Sequence, residues 1–401
     1  MNHPICTRST LTITWLLSYI SIASVSAAMI TPALPSIEHF YALKSGNIEW
    51  MVSTFLLGYV IGQLVYGPLA NVYGRLKALR YGLNLNIFGV LLCVFASFSS
   101  HYTWLLFGRF ITGLGSAAGL TCTFMLINEW LPDHQRKTAM AYSILSFALG
   151  VGFAVLIGGM ITQYLNWQSC FIFLMIHGLI MRMGLGVFSE TLLKPKLFHI
   201  PTLLKDYGYA LCSVKLLVFS VVWSGCTSVA YCYSAAAPQI ADQFFHLSAA
   251  QYGYWNGVNI IGMILGGLSA RAFMQRFSVL RVIIIGYIGS FIALSSFAFM
   301  MVTSSQSVVW FFFTSGVLYC FSSYLFSGGS FLASNAIDDK ASASSMMSFV
   351  NMSLATLSVV LMGYLSSNPF LAFLLITSGL FSISILLLLL NARFQLRVIN
   401  H

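Results

Sequence analysis

One arginine stands well inside an apolar stretch. Arg109 lies a few residues into the run 104–128, with Thr112, Gly113 and Ser116 on its side of a helix. A cation in hydrocarbon is costly and points to function by default, so Arg109 is read as a functional residue. The competing reading is a side chain that snorkels to the interface beside Trp104. Arg182, near the basic end of a later apolar run, fits snorkelling better. The nine acidic residues are Glu38, Glu49, Glu129, Asp133, Glu190, Asp206, Asp242, Asp338 and Asp339, and all fall at the ends of apolar runs or between them. A carboxylate embedded among apolar residues binds a proton or a cationic substrate. With none expected to be buried, an uncharged or anionic substrate fits better, and Arg109 supplies the fixed positive charge. Glu38 and His177 are the remaining candidates for proton coupling, His177 because imidazole titrates near neutral pH. Against that, Glu38 and Glu129 also read as solvated interfacial acids, and His177 as a structural histidine bonded to a neighbouring helix.

A second set is polar and aromatic. Gln63, Tyr231, Tyr233, Trp255, Asn256, Asn259, Tyr319, Tyr324 and Asn351 all sit in apolar runs. An amide or phenol there either faces a water-filled cavity or bonds a neighbouring helix. Taken singly the second reading is favoured; as a set, some are expected to line a substrate cavity. No phosphate loop, His-Glu-x-x-His, paired carboxylates or nucleophile elbow occurs. The eight cysteines are scattered without metal-ligand spacing. No enzyme, cofactor or metal is implied, and any energy coupling must draw on ion gradients.

The elements that carry these residues follow from composition. The chain has 401 residues, 58% hydrophobic and 7% charged, with a mean hydropathy of +0.86. Charge that sparse cannot cover a water-facing surface, where roughly 25% is usual, so the solvent is mostly lipid. The net charge of +10 suggests nucleic acid, but the cations lie between apolar runs and not on one soluble face. At about 20 residues per span, the runs divide as 11–35, 50–70, 79–99, 104–128, 138–165 and 169–188. A polar linker follows at 189–209, with Lys194, Pro195, Lys196, Pro201 and Lys205. The later runs are 211–240, 249–273, 279–302, 308–333, 341–366 and 370–392. The first run is too long, and its flank too weakly basic, for a cleaved signal. Lysine and arginine alternate: Arg75, Lys77, Arg80, Arg136, Lys137, Lys194, Lys196, Lys205, Arg271, Arg276, Lys340, Arg393 and Arg397 fall on one side, and Lys44 alone on the other. The positive-inside rule then puts both termini in the cytoplasm.

The loop between the second and third runs reads Gly67-Pro68-Leu69-Ala70-Asn71-Val72-Tyr73-Gly74-Arg75-Leu76-Lys77. With Ser53-Thr54-Phe55-Leu56-Leu57-Gly58-Tyr59, Gly62-Gln63, Pro32-Ala33-Leu34-Pro35 and Gly108-Arg109 with Gly113 and Gly115, it resembles the drug:proton antiporter group of the major facilitator superfamily, and the bicyclomycin-resistance (Bcr/CflA) type most of all. Weaker echoes are Gly253-Tyr254 with Asn259, and Ser334-Asn335-Ala336. The resemblance spans most of the chain. It implies an all-α integral membrane fold of 12 helices in two pseudo-symmetric six-helix bundles, 1–188 and 210–401, joined by a cytoplasmic linker at 189–209. It also implies a gating loop at Gly67, Asn71, Gly74 and Arg75, and a proton-coupling role for Arg109.

Three departures weaken the implied antiport. Asn71 stands where the family's loop carries a carboxylate. Ala154-Val155 stands where its fifth helix carries Gly-Pro, although Gly150 and Gly158-Gly159 keep the small surfaces. Ala27 and Ala28 occupy the region where an acid often precedes the first-helix prolines. The expected function is a secondary active transporter exporting a drug-like or metabolite molecule against protons. An organic-anion carrier, for a carboxylate metabolite or siderophore, is the alternative, and a non-transporting receptor the second alternative; no filter loop supports a channel. The expected setting is a lipid bilayer of bacterial inner-membrane type, as a monomer, with no nucleic-acid partner. The cavity residues expected are Gln63, Thr112, Ser116, Tyr231, Tyr233, Trp255, Asn259, Tyr319 and Asn351.

Overall fold

Hydrocarbon leaves a backbone few options. Every N–H and C=O must find a partner within the chain, so spans are helices or closed barrels. The computed structural model describes residues 9–44, 46–99, 101–192, 200–337 and 340–399. Lys194, Pro195 and Lys196 of the expected linker, and Asp338 and Asp339, lie outside the described residues. All regular structure among the described residues is helical: α1 Thr10–Ser18, α2 Ser21–Ala28, α3 Leu34–Phe40, α4 Trp50–Tyr73, α5 Arg75–Ala96, α6 Tyr102–Trp130, α7 Asp133–Tyr164, α8 Gln168–Gly184, α9 Ile200–Leu211, α10 Val214–Phe245, α11 Ala249–Trp255, α12 Gly257–Arg276, α13 Val279–Val302, α14 Val308–Ser334, α15 Lys340–Leu365 and α16 Pro369–Ile399.

Ten of these segments among the described residues are long and apolar enough to cross a membrane, with α11 and α12 counted as one, or eleven when Thr10–Ser18 and Ser21–Phe40 are taken as one bent span. That first span was expected over 11–35. It bends by 44° where Tyr19 turns its hydroxyl onto the Met181 carbonyl at 2.7 Å. The expected span 138–165 falls within α7, whose described apolar stretch is Leu149–Tyr164. The polar linker differs from expectation in holding a helix, α9.

The chain divides into two compact units. The first holds Met1–Ala42, Thr54–Phe198 and Ala249–Tyr254; the second holds Leu43–Ser53, His199–Ser248 and Trp255–His401. Each exposes apolar rows that water would not tolerate. On α13, Ile284, Ile288 and Ile292 are more than half exposed on successive turns, as lipid contact demands. Within the first unit, α5 and α6 pack most closely, and glycine is the reason. A Cβ at Gly115 would strike the backbone of Asn86 and Gly82; small residues let helix axes approach like this. Gly115→Val is expected to drive α5 from α6 at a cost of about 2 kcal/mol or more, read as a lower melting temperature of the detergent-solubilised protein. Unchanged melting would show that the contact contributes nothing.

Candidate functional site

The first unit buries a polar cluster among α2, α4, α5 and α6. Arg109 is 1% exposed, so it does not snorkel. Its Nη1 donates to the Ser26 carbonyl at 2.7 Å, and the guanidinium carbon lies 4.6 Å from the centre of the Phe55 ring, a cation–π distance. Ser26 also meets Asn86, whose Nδ2 reaches the Ser26 Oγ at 3.4 Å, the Thr112 carbonyl at 3.2 Å and the Ser116 Oγ at 2.8 Å. The Ser116 hydroxyl in turn donates to the Thr112 carbonyl at 2.7 Å. Thr112 and Ser116 thus belong with Arg109, as their spacing implies. Asn86 was not singled out from sequence. Its signal was an amide inside the apolar run 79–99, the same signal that drew attention to Asn259 and Asn351.

A second construction joins the end of α4 to the start of α5. Gly74 is the one residue between them, at φ +107°, a conformation glycine adopts without penalty. A Cβ there would also strike the Glu190 carboxylate. Glu190 caps α5: its Oε1 accepts from the Arg75 N–H at 2.8 Å and its Oε2 from the Leu76 N–H at 3.1 Å. A carboxylate suits the positive end of a helix. The Arg75 side chain turns to Glu129 at the far end of α6, with Nη2–Oε1 at 2.7 Å and Nε–Oε2 at 2.9 Å. Its Nη1 reaches the Ala70 carbonyl at 2.9 Å, and the Thr191 hydroxyl completes the set on Glu129 Oε2 at 2.6 Å. Arg75 is therefore a buried clamp more than a topogenic charge, and Glu129 is its partner as well as an interfacial acid. Glu190, which follows the sixth apolar run, was not read as part of the loop. Gly67 lies within α4 just before Pro68, and Asn71 is half-buried with no hydrogen bond to its side chain among the described residues.

The second unit holds its own buried relay. The Tyr233 hydroxyl lies 3.2 Å from Ser315 Oγ, Ser315 Oγ donates to Asn259 Oδ1 at 2.6 Å, and Asn259 Nδ2 donates to Asn256 Oδ1 at 2.8 Å. Tyr319 stands edge-on to Tyr233, with ring centres 5.5 Å apart, and Trp255 stacks on Phe312 at 5.6 Å. Tyr231 is half-buried. Asn351 is buried with its Oδ1 unpartnered, and in the first unit the Gln63 Oε1 is likewise buried without a partner. His177 and Glu38 are half-buried on α8 and α3 and are not among the partners of Arg109 named above. No hydrogen bond to His177 forms among the described residues, so the neighbouring-helix bond expected of it does not appear there. The expectation that no acid would be buried does not hold. Glu49, in the turn before α4, is 7% exposed, because the backbones of Gly46 and Gly363 meet over it. No group of three or more His, Cys, Asp or Glu residues able to hold a metal occurs among the described residues.

Among the described residues all regular structure is helical, and at least ten segments are long and apolar enough to span a membrane. The profile of the Major Facilitator Superfamily matches residues 16–226, and the chain belongs to that family. It has the all-α, multi-span fold expected from its sequence. Among curated relatives, it is 34% identical over 173 residues to the MFS-type transporter oryF of Aspergillus oryzae, covering 42% of this chain and 35% of that protein. It is 22% identical over 157 residues to multidrug resistance protein D of Escherichia coli, covering 39% of each. The matches thus span well under two thirds of either relative. Among solved structures, a D-xylose-proton symporter shares the fold with a TM-score of 0.75 at 15% identity, over 94% of this chain and 97% of that one.

Proposed function

We propose that this chain exports a drug-like or metabolite molecule by alternating access in exchange for protons. The observation that carries this reading is Arg109. A fully buried guanidinium beside a polar cluster is too costly to serve packing alone, and a cation inside a membrane span marks a functional group by default. The Escherichia coli relative, named for multidrug resistance, supports a drug-like cargo. Glu38 and His177 are proposed as further coupling groups. Gln63, Thr112, Ser116, Tyr231, Tyr233, Trp255, Asn259, Tyr319 and Asn351 are proposed to face substrate. The proposed setting is a bacterial-type inner membrane, with the chain a monomer and its basic loops and both termini in the cytoplasm.

A second reading is transport of an organic anion, such as a carboxylate metabolite or a siderophore. It is favoured by the make-up of the cluster: a guanidinium, an amide and hydroxyls among its named members, which together would receive a carboxylate. Flux in reconstituted vesicles across a compound panel, with and without a pH gradient, separates the two. Drug efflux that collapses with the gradient supports the first reading. Anion flux that needs Arg109 but no gradient replaces it with the second.

The gating role of the loop at 67–77 is proposed with Gly67, Asn71, Gly74 and Arg75. Asn71→Asp adds a charge of the kind that a helix N-terminus favours by about 0.5 kcal/mol. Roughly a twofold shift toward the outward-facing state is expected, read as slower labelling of cysteines placed on the cytoplasmic side. Unchanged labelling would remove Asn71 from the gate.

A further inference from the structure

The acid at the opposite end of α4 from Arg75 has no part in the function described so far. Glu49 precedes α4 in the second unit's segment Leu43–Ser53. Its Oε1 lies 3.4 Å from Gln239 Nε2 on α10, and that amide also donates to the Ala235 carbonyl at 3.1 Å. Its Oε2 is buried with no partner. On the other side stands Gly363 of α15, where a Cβ would sit 2.9 Å from the Gly46 carbonyl and 3.4 Å from Glu49 Oε2. Gly46, at φ +88°, presses its backbone on Gly363 in turn. The charged and titratable groups on these elements do not neutralise the acid. Lys44 and His246 are exposed, Asp242 is half-buried one turn beyond Gln239, and Tyr364 is exposed and takes a hydrogen bond from Trp50 Nε1 at 3.2 Å. The ion pair found among the described residues is Arg75–Glu129.

We propose that Glu49 is a proton-binding site: it holds a proton while the turn 46–49 is docked on α10 and α15, and releasing that proton to water frees the turn. A carboxylate given one long amide contact and no cation is poorly tolerated out of water, whereas the neutral acid leaves only a weak acceptor unpaired. Burial pushes the Glu49 carboxyl above its ordinary value, against smaller opposing contributions from its own backbone and from Gln239. The docked turn therefore binds the proton more tightly than the free turn does. Docking is fully favoured below the ordinary carboxylate value of about 4.3, and is lost as pH rises from there through the raised value. Between those limits the docked-to-free ratio falls up to about tenfold per pH unit. The inference gives the proton-coupled reading above a binding group, and rests on that reading only for its consequence in transport.

Ile48, fully buried by the docked turn, supplies the probe. Ile48→Cys is labelled with a membrane-impermeant maleimide and followed at that residue by peptide mass spectrometry, with and without Glu49→Gln. Thiolate formation itself speeds labelling with pH, so the quantity read is the ratio of the two rates. It is expected to be near one in acid and to rise about tenfold or more once Glu49 ionises, because the glutamine keeps the turn docked. A ratio of one throughout overturns the proposal. The unaltered chain gives a second reading that needs no variant. Its infrared spectrum should keep a protonated-carboxyl band above the ordinary carboxylate range, and the absence of that band overturns the proposal equally. Neither reading uses substrate. Their failure removes Glu49 and leaves proton-coupled export standing, whereas flux indifferent to a pH gradient removes the coupling and leaves the proton on Glu49.

Discussion

Arg109→Ala is expected to lower transport by a hundredfold or more while leaving the protein folded, with a melting temperature close to that of the unaltered chain. The two effects have one cause. A guanidinium that is 1% exposed has surrendered its hydration, and contacts such as the Ser26 carbonyl at 2.7 Å and the Phe55 face have that cost to offset. Removing the charge lifts that desolvation cost, which offsets part of the cost of the cavity that alanine leaves. A structural arginine would behave in the opposite way, since its loss would orphan its partners and lower the melting temperature. Arg109→Lys should recover little activity, because an ammonium is a point charge without the planar group that lies against Phe55. Flux in vesicles beside melting in detergent makes the comparison, and an alanine variant that transports normally would end the case for Arg109.

Glu129→Ala is expected to destabilise the first unit by about 2 kcal/mol, the range for losing charged hydrogen bonds. Two donors of Arg75 bond that carboxylate, and the Arg75 side chain is 10% exposed. Its charge would stay behind with the Ala70 carbonyl alone among the partners named here. Glu129 itself is 35% exposed, so water replaces part of what is lost, and the cost falls below the 3–5 kcal/mol typical of a fully buried pair. Arg75→Ala in the same background should add less than it does alone, because the two changes share one interaction. Thermal unfolding of the two single variants and the double variant gives the coupling energy; strict additivity would mean that the clamp is not a unit.

The architecture was legible because it rests on sums over long stretches. Some twenty apolar residues between basic loops leave few choices but a span. Arg109, Thr112 and Ser116 were legible for a local reason: one helical face carries all three. Glu49 was not, because its burial is made by Gly46 and Gly363, which lie far apart in the sequence, and no local pattern records their meeting. Asn86 was overlooked for a related reason. One amide in an apolar helix says nothing about which neighbour it will bond, and only the approach of Gly115 brings Ser116 within reach. Glu190 looked like the start of a linker because a helix cap formed by a distant residue has no spacing to read.

The Gly74 joint also has a mechanical side. Two helices joined through a single residue share a knee with no slack, and Glu190 clips that knee from outside. The 24 residues of α4 make a rod of about 36 Å, with Glu49 before one tip and the clip just past the other. A push on either tip cannot be absorbed by loop slack at the knee. A push along the end of α4 next to Gly74 either carries α5 with it or opens the clip.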